Sequence, residues 1–219
     1  LIEHGVSGFI VSPAYDEDST PLEAIARAGL PAIQVFRKVD DREDLFPFFA
    51  PDYQSGSRDA TRHLLDRGCR KLAFVGGLAG RDVTQERMSG YLEVVAAQGQ
   101  DPVIITGEAS HQFGMRSART LQDTHPEVDG VLCFNDLVAL GLMAGSQAMG
   151  VTVGRDLRVI GFDEIEGCQQ SLPQLTSVGC NIPGLAQVIS SKILAWLGDG
   201  TRPPGGDRTP VELVVRQSS

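Results

Sequence analysis

The chain has 219 residues, 42% of them hydrophobic and 21% charged, an ordinary globular composition with apolar content for one large core or two smaller ones. No stretch approaches the ~20 apolar residues needed to span a bilayer, and the start, Leu1-Ile2-Glu3-His4-Gly5, has no basic region followed by an apolar one. A net charge of −9 argues against these residues gripping a phosphate backbone, which takes Lys and Arg to neutralise.

Apolar runs alternate with amphipathic segments along the chain. Phe9 to Val11 reads as a strand, Thr20 to Ala28 as a helix and Ala32 to Val35 as a second strand. Pro47 and Pro51 interrupt the pattern across Phe46 to Tyr53, which is expected to be a boundary ahead of a helix over Gly56 to Asp66. Leu72 to Val75 follows as a strand. Met88, Tyr91, Leu92, Val95 and Ala96 then recur at helical spacing within Thr84 to Ala97, with Gly99 as the stop. Val103 to Ile105 is the next strand and Gly114 to Gln122 the next helix.

The pattern is densest over residues 131 to 163. Two apolar runs, Val131 to Phe134 and Val159 to Phe162, each end in polar residues: Asn135-Asp136 and Asp163-Glu164. A helix from Asp136 to Met149, closed by Gly150, lies between them. A strand-helix-strand unit of this length makes the strands parallel, so Asn135 and Asp163 emerge at one carboxyl edge, where open α/β sheets bind ligands. Pro173 to Val178 reads as a strand, Cys180 to Pro183 as a second boundary before a helix running to Leu197, Gly198 to Pro210 as a turn-rich loop and Val211 to Val215 as a final strand. The class is α/β, doubly wound.

No Gly-x-Ser-x-Gly elbow, His-Glu-x-x-His helix or Walker loop is present. His4, His63, His111 and His125 are scattered, as expected of surface or helix-face residues. Cys69, Cys133, Cys168 and Cys180 lack Cys-x-x-Cys spacing and read as inert thiols in a reducing cytosol, with neither metal nor cofactor implied. Gly76-Gly77-Leu78-Ala79-Gly80 follows a strand but lacks dinucleotide-binding spacing, so a tight turn is expected there rather than a phosphate cradle.

Asp136, first after a strand and before a helix, is expected to cap that helix or to touch ligand. Asn135, one residue earlier, offers donor and acceptor to a ligand. Asp163 follows a buried-looking strand and so needs a partner, either sugar hydroxyls or an arginine. Arg87 falls in the first turn of its helix, where the dipole opposes a cation, and its flat fork suits a carboxylate or a diol. Arg81, in the preceding loop, is either a contact or a surface charge.

Five strings occur in order along the chain: Tyr53-Gln54-Ser55-Gly56 through His63-Leu64-Leu65-Asp66-Arg67-Gly68 to Leu72-Ala73-Phe74-Val75-Gly76-Gly77; Arg87-Met88-Ser89-Gly90-Tyr91; Phe134-Asn135-Asp136-Leu137-Val138-Ala139; Val159-Ile160-Gly161-Phe162-Asp163-Glu164; and Pro173-Gln174-Leu175-Thr176-Ser177-Val178. Together they resemble the core of the lactose-repressor (LacI/GalR) family of bacterial transcription regulators. That resemblance implies a periplasmic-binding-protein-like fold of two parallel-sheet subdomains, residues 1–52 with 182–207 and 53–181 with 208–219. Crossovers are implied near Asp52-Tyr53, near Asn181-Ile182 and across Gly206 to Thr209, with a small effector held in the cleft.

Positions matching Arg87, Asn135 and Asp163 contact effector in the family, and those matching Arg81, Phe113 and Asp52 lie in or beside the pocket in some members. Phe113 either stacks on a sugar or base or packs locally at a helix start. Gly154 and Cys69 stand where the family usually has proline and histidine. Leu1 to Val11 matches a third strand, so the N-terminal subdomain is expected to be truncated, with the helix-turn-helix upstream.

The resemblance thus implies a cytoplasmic, homodimeric regulator core, not an enzyme, that binds a sugar or sugar-acid effector and reaches operator DNA through the missing domain. Ser110 to Gly114 and Pro173 to Val178 look most like the gluconate-repressor branch. An alternative is a periplasmic sugar-binding protein serving an ABC transporter, expected to be monomeric. A nucleotide-dependent enzyme using Gly76 to Gly80 would need supporting lysines or metal ligands, and none is evident.

Overall fold

The computed structural model describes residues 5–13, 19–39 and 45–219. His4 therefore lies outside the described residues. The chain divides into two units, Leu1–Asp52 with Asn181–Pro210 and Tyr53–Cys180 with Val211–Ser219.

The first unit holds a parallel sheet in the order β1-β2-β3-β9, formed by β1 (Phe9–Val11), β2 (Ala32–Val35), β3 (Phe48–Pro51) and β9 (Asp207–Thr209). Every residue of β2 is buried, as a strand covered on both faces requires. Ile33 and Val35 pack with Phe49 against Leu185, Ile189 and Ile193 of α7 (Ile182–Asp199). Ala32 turns the other way, toward Leu22 and Ile25 of α1 (Thr20–Arg27). Gln34, wholly buried, donates to the Phe46 carbonyl at 3.2 Å and accepts from the Val39 N–H at 2.7 Å, so its amide is satisfied.

The boundary expected within Phe46 to Tyr53 falls at Asp52–Tyr53, and the same stretch also contains β3: Pro47 precedes the strand and Pro51 closes it, positions where a missing N–H breaks little of the ladder. The expected loop Gly198 to Pro210 contains β9, only three residues long and paired with β3 through Phe49, Ala50 and Pro51. The crossing placed over Gly206 to Thr209 accordingly moves to the Pro210–Val211 junction, and that near Asn181-Ile182 to Cys180–Asn181.

The second unit holds six strands in the order β10-β8-β7-β6-β4-β5. They are β4 (Leu72–Val75), β5 (Val103–Ile105), β6 (Gly130–Cys133), β7 (Arg158–Asp163), β8 (Thr176–Gly179) and β10 (Glu212–Val214). All neighbours are parallel except β10, which pairs antiparallel with β8 at one edge. β8 starts three residues later than expected, because the Gln174 and Leu175 amides bond to Gln217 Oε1 and to the Cys168 carbonyl instead of a neighbouring strand.

Four long helices complete this unit: α2 (Tyr53–Asp66), α3 (Asp82–Ala97), α4 (His111–Thr124) and α5 (Asp136–Ala148), with a short α6 (Gly167–Gln170). α2 and α3 touch backbone to backbone at Gly90, where a Cβ would lie 2.3 Å from the Gln54 carbonyl oxygen. The same device joins α4 to α5 at Gly141, whose Cβ would lie 2.0 Å from the His111 carbonyl oxygen.

The contact at Gly90 turns α3 away from the expected stripe. Its buried residues are Thr84, Arg87, Gly90, Tyr91, Val94 and Val95, whereas Ala96 is exposed. Tyr91 is fully buried and its hydroxyl donates to the Leu72 carbonyl at 3.0 Å while accepting from the Val103 N–H at 3.1 Å.

Candidate functional site

Because β4, β6, β7 and β8 are parallel, Gly76, Phe134, Asp163 and Cys180 all lie at the carboxyl edge of one sheet. Arg87 enters this edge from α3. The helix begins at Asp82, so Arg87 stands in its second turn, not its first, and the dipole explains less of its placement than expected. Packing explains more.

The Arg87 side chain is only 5% exposed, and its Nη2 donates to Asp163 Oδ1 at 2.7 Å. Its Nη1 donates to the Phe134 carbonyl, one residue before Asn135. Three rings surround the guanidinium carbon, with centroids at 4.0 Å for Phe162, 4.7 Å for Tyr53 and 4.8 Å for Phe134. A flat, weakly hydrated cation between aromatic faces is a favourable way to bury charge. Burial opposes that charge, but Asp163 and then Tyr53 more than offset it, and the guanidinium is held above its ordinary pKa. Burial likewise pushes the Tyr53 phenol up to about 12, Arg87 opposing.

Asp163 stands at φ 107° and Glu164 at φ 61°. Two successive non-glycine residues with positive φ are costly, and such strain persists where the surroundings impose it. Here the Glu164 N–H donates to Ser177 Oγ at 3.1 Å, and its carboxylate pairs with Arg216. The Asp163 side chain, 40% exposed, thereby meets Arg87 with one oxygen while the carboxylate stays open to solvent.

The capping assignment shifts by one residue. Asn135, not Asp136, caps α5: its Oδ1 accepts from the Val138 N–H at 3.0 Å. Asp136 is the first helical residue, 1% exposed, and meets neither expectation made for it. Asn135 keeps its place at the edge beside Phe134, but one acceptor position of its amide is spent on the helix.

Of the other expected residues, Arg81 is the extended residue preceding α3. The Phe113 ring packs over Gly107, whose Cβ would lie 2.0 Å from it, and against the apolar core. This is the local-packing alternative. Gly107 bridges Gly77, beside which the Phe134 ring lies. Asp52 belongs to the first unit, its N–H donating to the Thr209 carbonyl at 2.9 Å. Gly76 and Gly77 form a turn at φ 101° and 78°, and a Cβ on Gly77 would lie 2.7 Å from the Phe134 ring.

The sequence reading missed the three rings, Tyr53, Phe134 and Phe162. A signal was available: each adjoins a polar candidate in sequence, Asp52, Asn135 and Asp163 respectively. All four cysteines are free and buried. Among the described residues no cluster of three or more His, Cys, Asp or Glu side chains could hold a metal ion, and no helix is long and apolar enough to cross a membrane.

A model of the periplasmic binding protein-like domain matches residues 61–219. The ribose operon repressor of Halalkalibacterium halodurans is 28% identical over 214 residues, which cover 98% of this chain and 62% of that protein. The chain thus spans about three fifths of that relative's length. Among solved structures, a transcriptional regulator CelR–cellobiose complex superposes with TM-score 0.91 at 25% identity, covering 100% of this chain and 67% of that one. A dimeric Lac repressor superposes with TM-score 0.86 at 26% identity, covering 100% and 80%. Matched by the family model over most of its length, and by these regulators end to end, the chain belongs to the periplasmic binding protein-like domain family, as a LacI-type core.

Proposed function

We propose that the chain is the effector-sensing and dimerising core of a cytoplasmic LacI-type transcription regulator, not an enzyme, and that its effector is a small sugar or sugar acid engaged through Arg87 and Asp163 with Asn135 beside them. The observation that carries this reading is the buried guanidinium fixed between a carboxylate, a carbonyl and three rings at a sheet's carboxyl edge. Such a fork is pre-organised, and its aspartate leaves oxygen open to accept from hydroxyls. The relatives are repressors and regulators, and two bear the names of ribose and cellobiose; they favour a regulator over a transporter-feeding protein. Operator DNA is contacted by a helix-turn-helix outside these residues, in keeping with a net charge of −9 here.

Exposed apolar side chains support a homodimer. Met115 on α4, Leu137 on α5 and Leu172 after α6 are 46%, 45% and 81% exposed. The Leu172 carbonyl is tied to α5 by Gln147 Nε2 at 2.9 Å, which places Leu172 beside the last turns of that helix.

The test is calorimetric titration with ribose, cellobiose and gluconate, repeated with Arg87→Ala and Asp163→Ala. Either truncation is expected to weaken a binding sugar by about 1–3 kcal/mol or more, and unchanged affinity in both would place the pocket elsewhere. Sedimentation of the full-length protein is expected to show a dimer that Leu172→Glu weakens.

A further inference from the structure

One buried carboxylate at this edge takes no part in the contact with Arg87. Asp136 Oδ1 accepts from the Ser177 hydroxyl at 2.6 Å, and Oδ2 accepts from the Ile165 N–H at 2.9 Å. The Cys168 thiol lies close enough to the same carboxylate to favour its charge. Ser177 Oγ in turn accepts from the Glu164 N–H at 3.1 Å. The two amides that follow Asp163 therefore both end on Asp136, one directly and one through a hydroxyl. They belong to the turn in which Asp163 and Glu164 hold φ 107° and 61°. Gly161 makes room for the arrangement, since a Cβ there would lie 2.1 Å from Asp136 Oδ1.

We propose that Asp136 is a positioning residue for Asp163: its ionised carboxylate holds the left-handed turn that presents Asp163 to Arg87, and its protonation loosens that turn and weakens effector binding. The effector part rests on the reading of Arg87 and Asp163 given above.

The reason lies in donor and acceptor counting. An ionised carboxylate only accepts, and the Ser177 hydroxyl and the Ile165 amide both direct protons at it. A proton added to Asp136 meets no acceptor there. Ser177, wholly buried, would have to turn its own proton away from the carboxylate, or the Ile165 amide would lose its partner. Either change leaves a donor unsatisfied in the segment that fixes Asp163.

The groups facing Asp136 are Cys133 on β6, Cys168 on α6, Cys180 after β8, Asp163 at the end of β7 and Arg216 after β10, with Glu164 beside Cys168 and Arg216. Burial pushes all three thiols up, Cys180 to about 12, so they stay protonated, and Arg216 stays charged beside Glu164. Burial likewise pushes Asp136 up to about 6, with the bonds from Ser177 and Ile165 and the nearby Cys168 thiol opposing. At pH 5 roughly one molecule in eleven would then carry the ionised form. Apparent affinity scales with that fraction and is expected to be about tenfold weaker than at pH 7.5.

The test follows the backbone amides of Glu164 and Ile165 and the Arg87 Nε–H by nitrogen-15 NMR of the unliganded chain from pH 7.5 to 5. All three are expected to shift together with one midpoint near 6, and Asp136→Asn is expected to abolish the step in all three. A step that survives in Asp136→Asn, or one that moves Ile165 but leaves Arg87 still, overturns the proposal. Should Asp136→Asn not fold, Ser177→Ala serves instead. It removes a bond that favours the charged form, so the midpoint is expected to rise, and an unchanged midpoint overturns the proposal. Ribose titration at the two pH values adds the affinity: the tenfold loss is expected in the natural chain and absent in Asp136→Asn. Absence of ribose binding at both pH values would count against the sugar reading alone, because the resonances decide the role of Asp136 without ligand.

Discussion

Asp163→Asn removes a charge while keeping the shape of the side chain, and so isolates what the pair with Arg87 contributes. The guanidinium is 5% exposed and lies 2.7 Å from a carboxylate that is 40% exposed. Two unit charges about 4 Å apart attract by about 4 kcal/mol at an effective dielectric of about 20. Solvent screens the open side of Asp163, and that figure shrinks to a net ~1–2 kcal/mol. Asparagine still offers an oxygen to Nη2, and the Phe134 carbonyl and the three rings are untouched, which keeps the loss in that range. The assay is a double-mutant cycle in urea with Arg87→Met, Asp163→Asn and the double variant. Asp163→Asn is expected to cost about 1–2 kcal/mol alone and almost nothing beside Arg87→Met. A coupling below about 0.3 kcal/mol would refute the reasoning, since the two side chains would then meet without holding one another.

Asn135→Ala is expected to cost about 1 kcal/mol of stability through loss of the α5 cap; a further loss of sugar affinity in calorimetry would mark its amide nitrogen as a contact. Gly141→Ala forces a methyl onto the His111 carbonyl oxygen, and a loss of about 1–3 kcal/mol is expected in urea unfolding. The pH dependence of stability has a definite sign. Asp136 has a folded-state pKa of about 6 against an ordinary 3.8, so the folded chain holds its proton more tightly than the unfolded chain. The resulting stabilisation, up to about 3 kcal/mol, is complete below pH 3.8 and lost as pH rises through 6. Urea titrations of the natural chain and Asp136→Asn should therefore diverge by that amount between pH 4 and 7. Acidification is thus expected to favour folding through this group while weakening effector binding, a pairing of opposite signs that a purely structural carboxylate would not give.

Much of the site was legible because polar residues at strand ends are a local signal. Asn135 and Asp163 follow apolar runs, and the parallel crossover sends both to one edge whatever the details of packing. Short strands without alternation were illegible: β9 is three residues in a turn-rich segment and exists because β3 offers it a partner. The cap of α5 was misplaced by one residue because Asn and Asp are both good caps, and only the depth of Asp136 under Ser177 and Ile165 separates them. Phe113 carried two readings of equal standing until Gly107 was seen to leave a space that its ring fills.

The sequence by itself determined the alternation of strands and helices, the edge to which the polar residues come and the identity of the arginine, because periodicity and strand-end polarity are properties of a few adjacent residues. Only the tertiary structure decided that Arg87 turns inward, that three rings enclose it and that it closes on Asp163, 76 residues away. The direction of a side chain on a helix depends on what the helix packs against. For α3 that was settled at Gly90, where the absence of a Cβ lets α2 approach and rotates the buried arc through residues 84, 87 and 91.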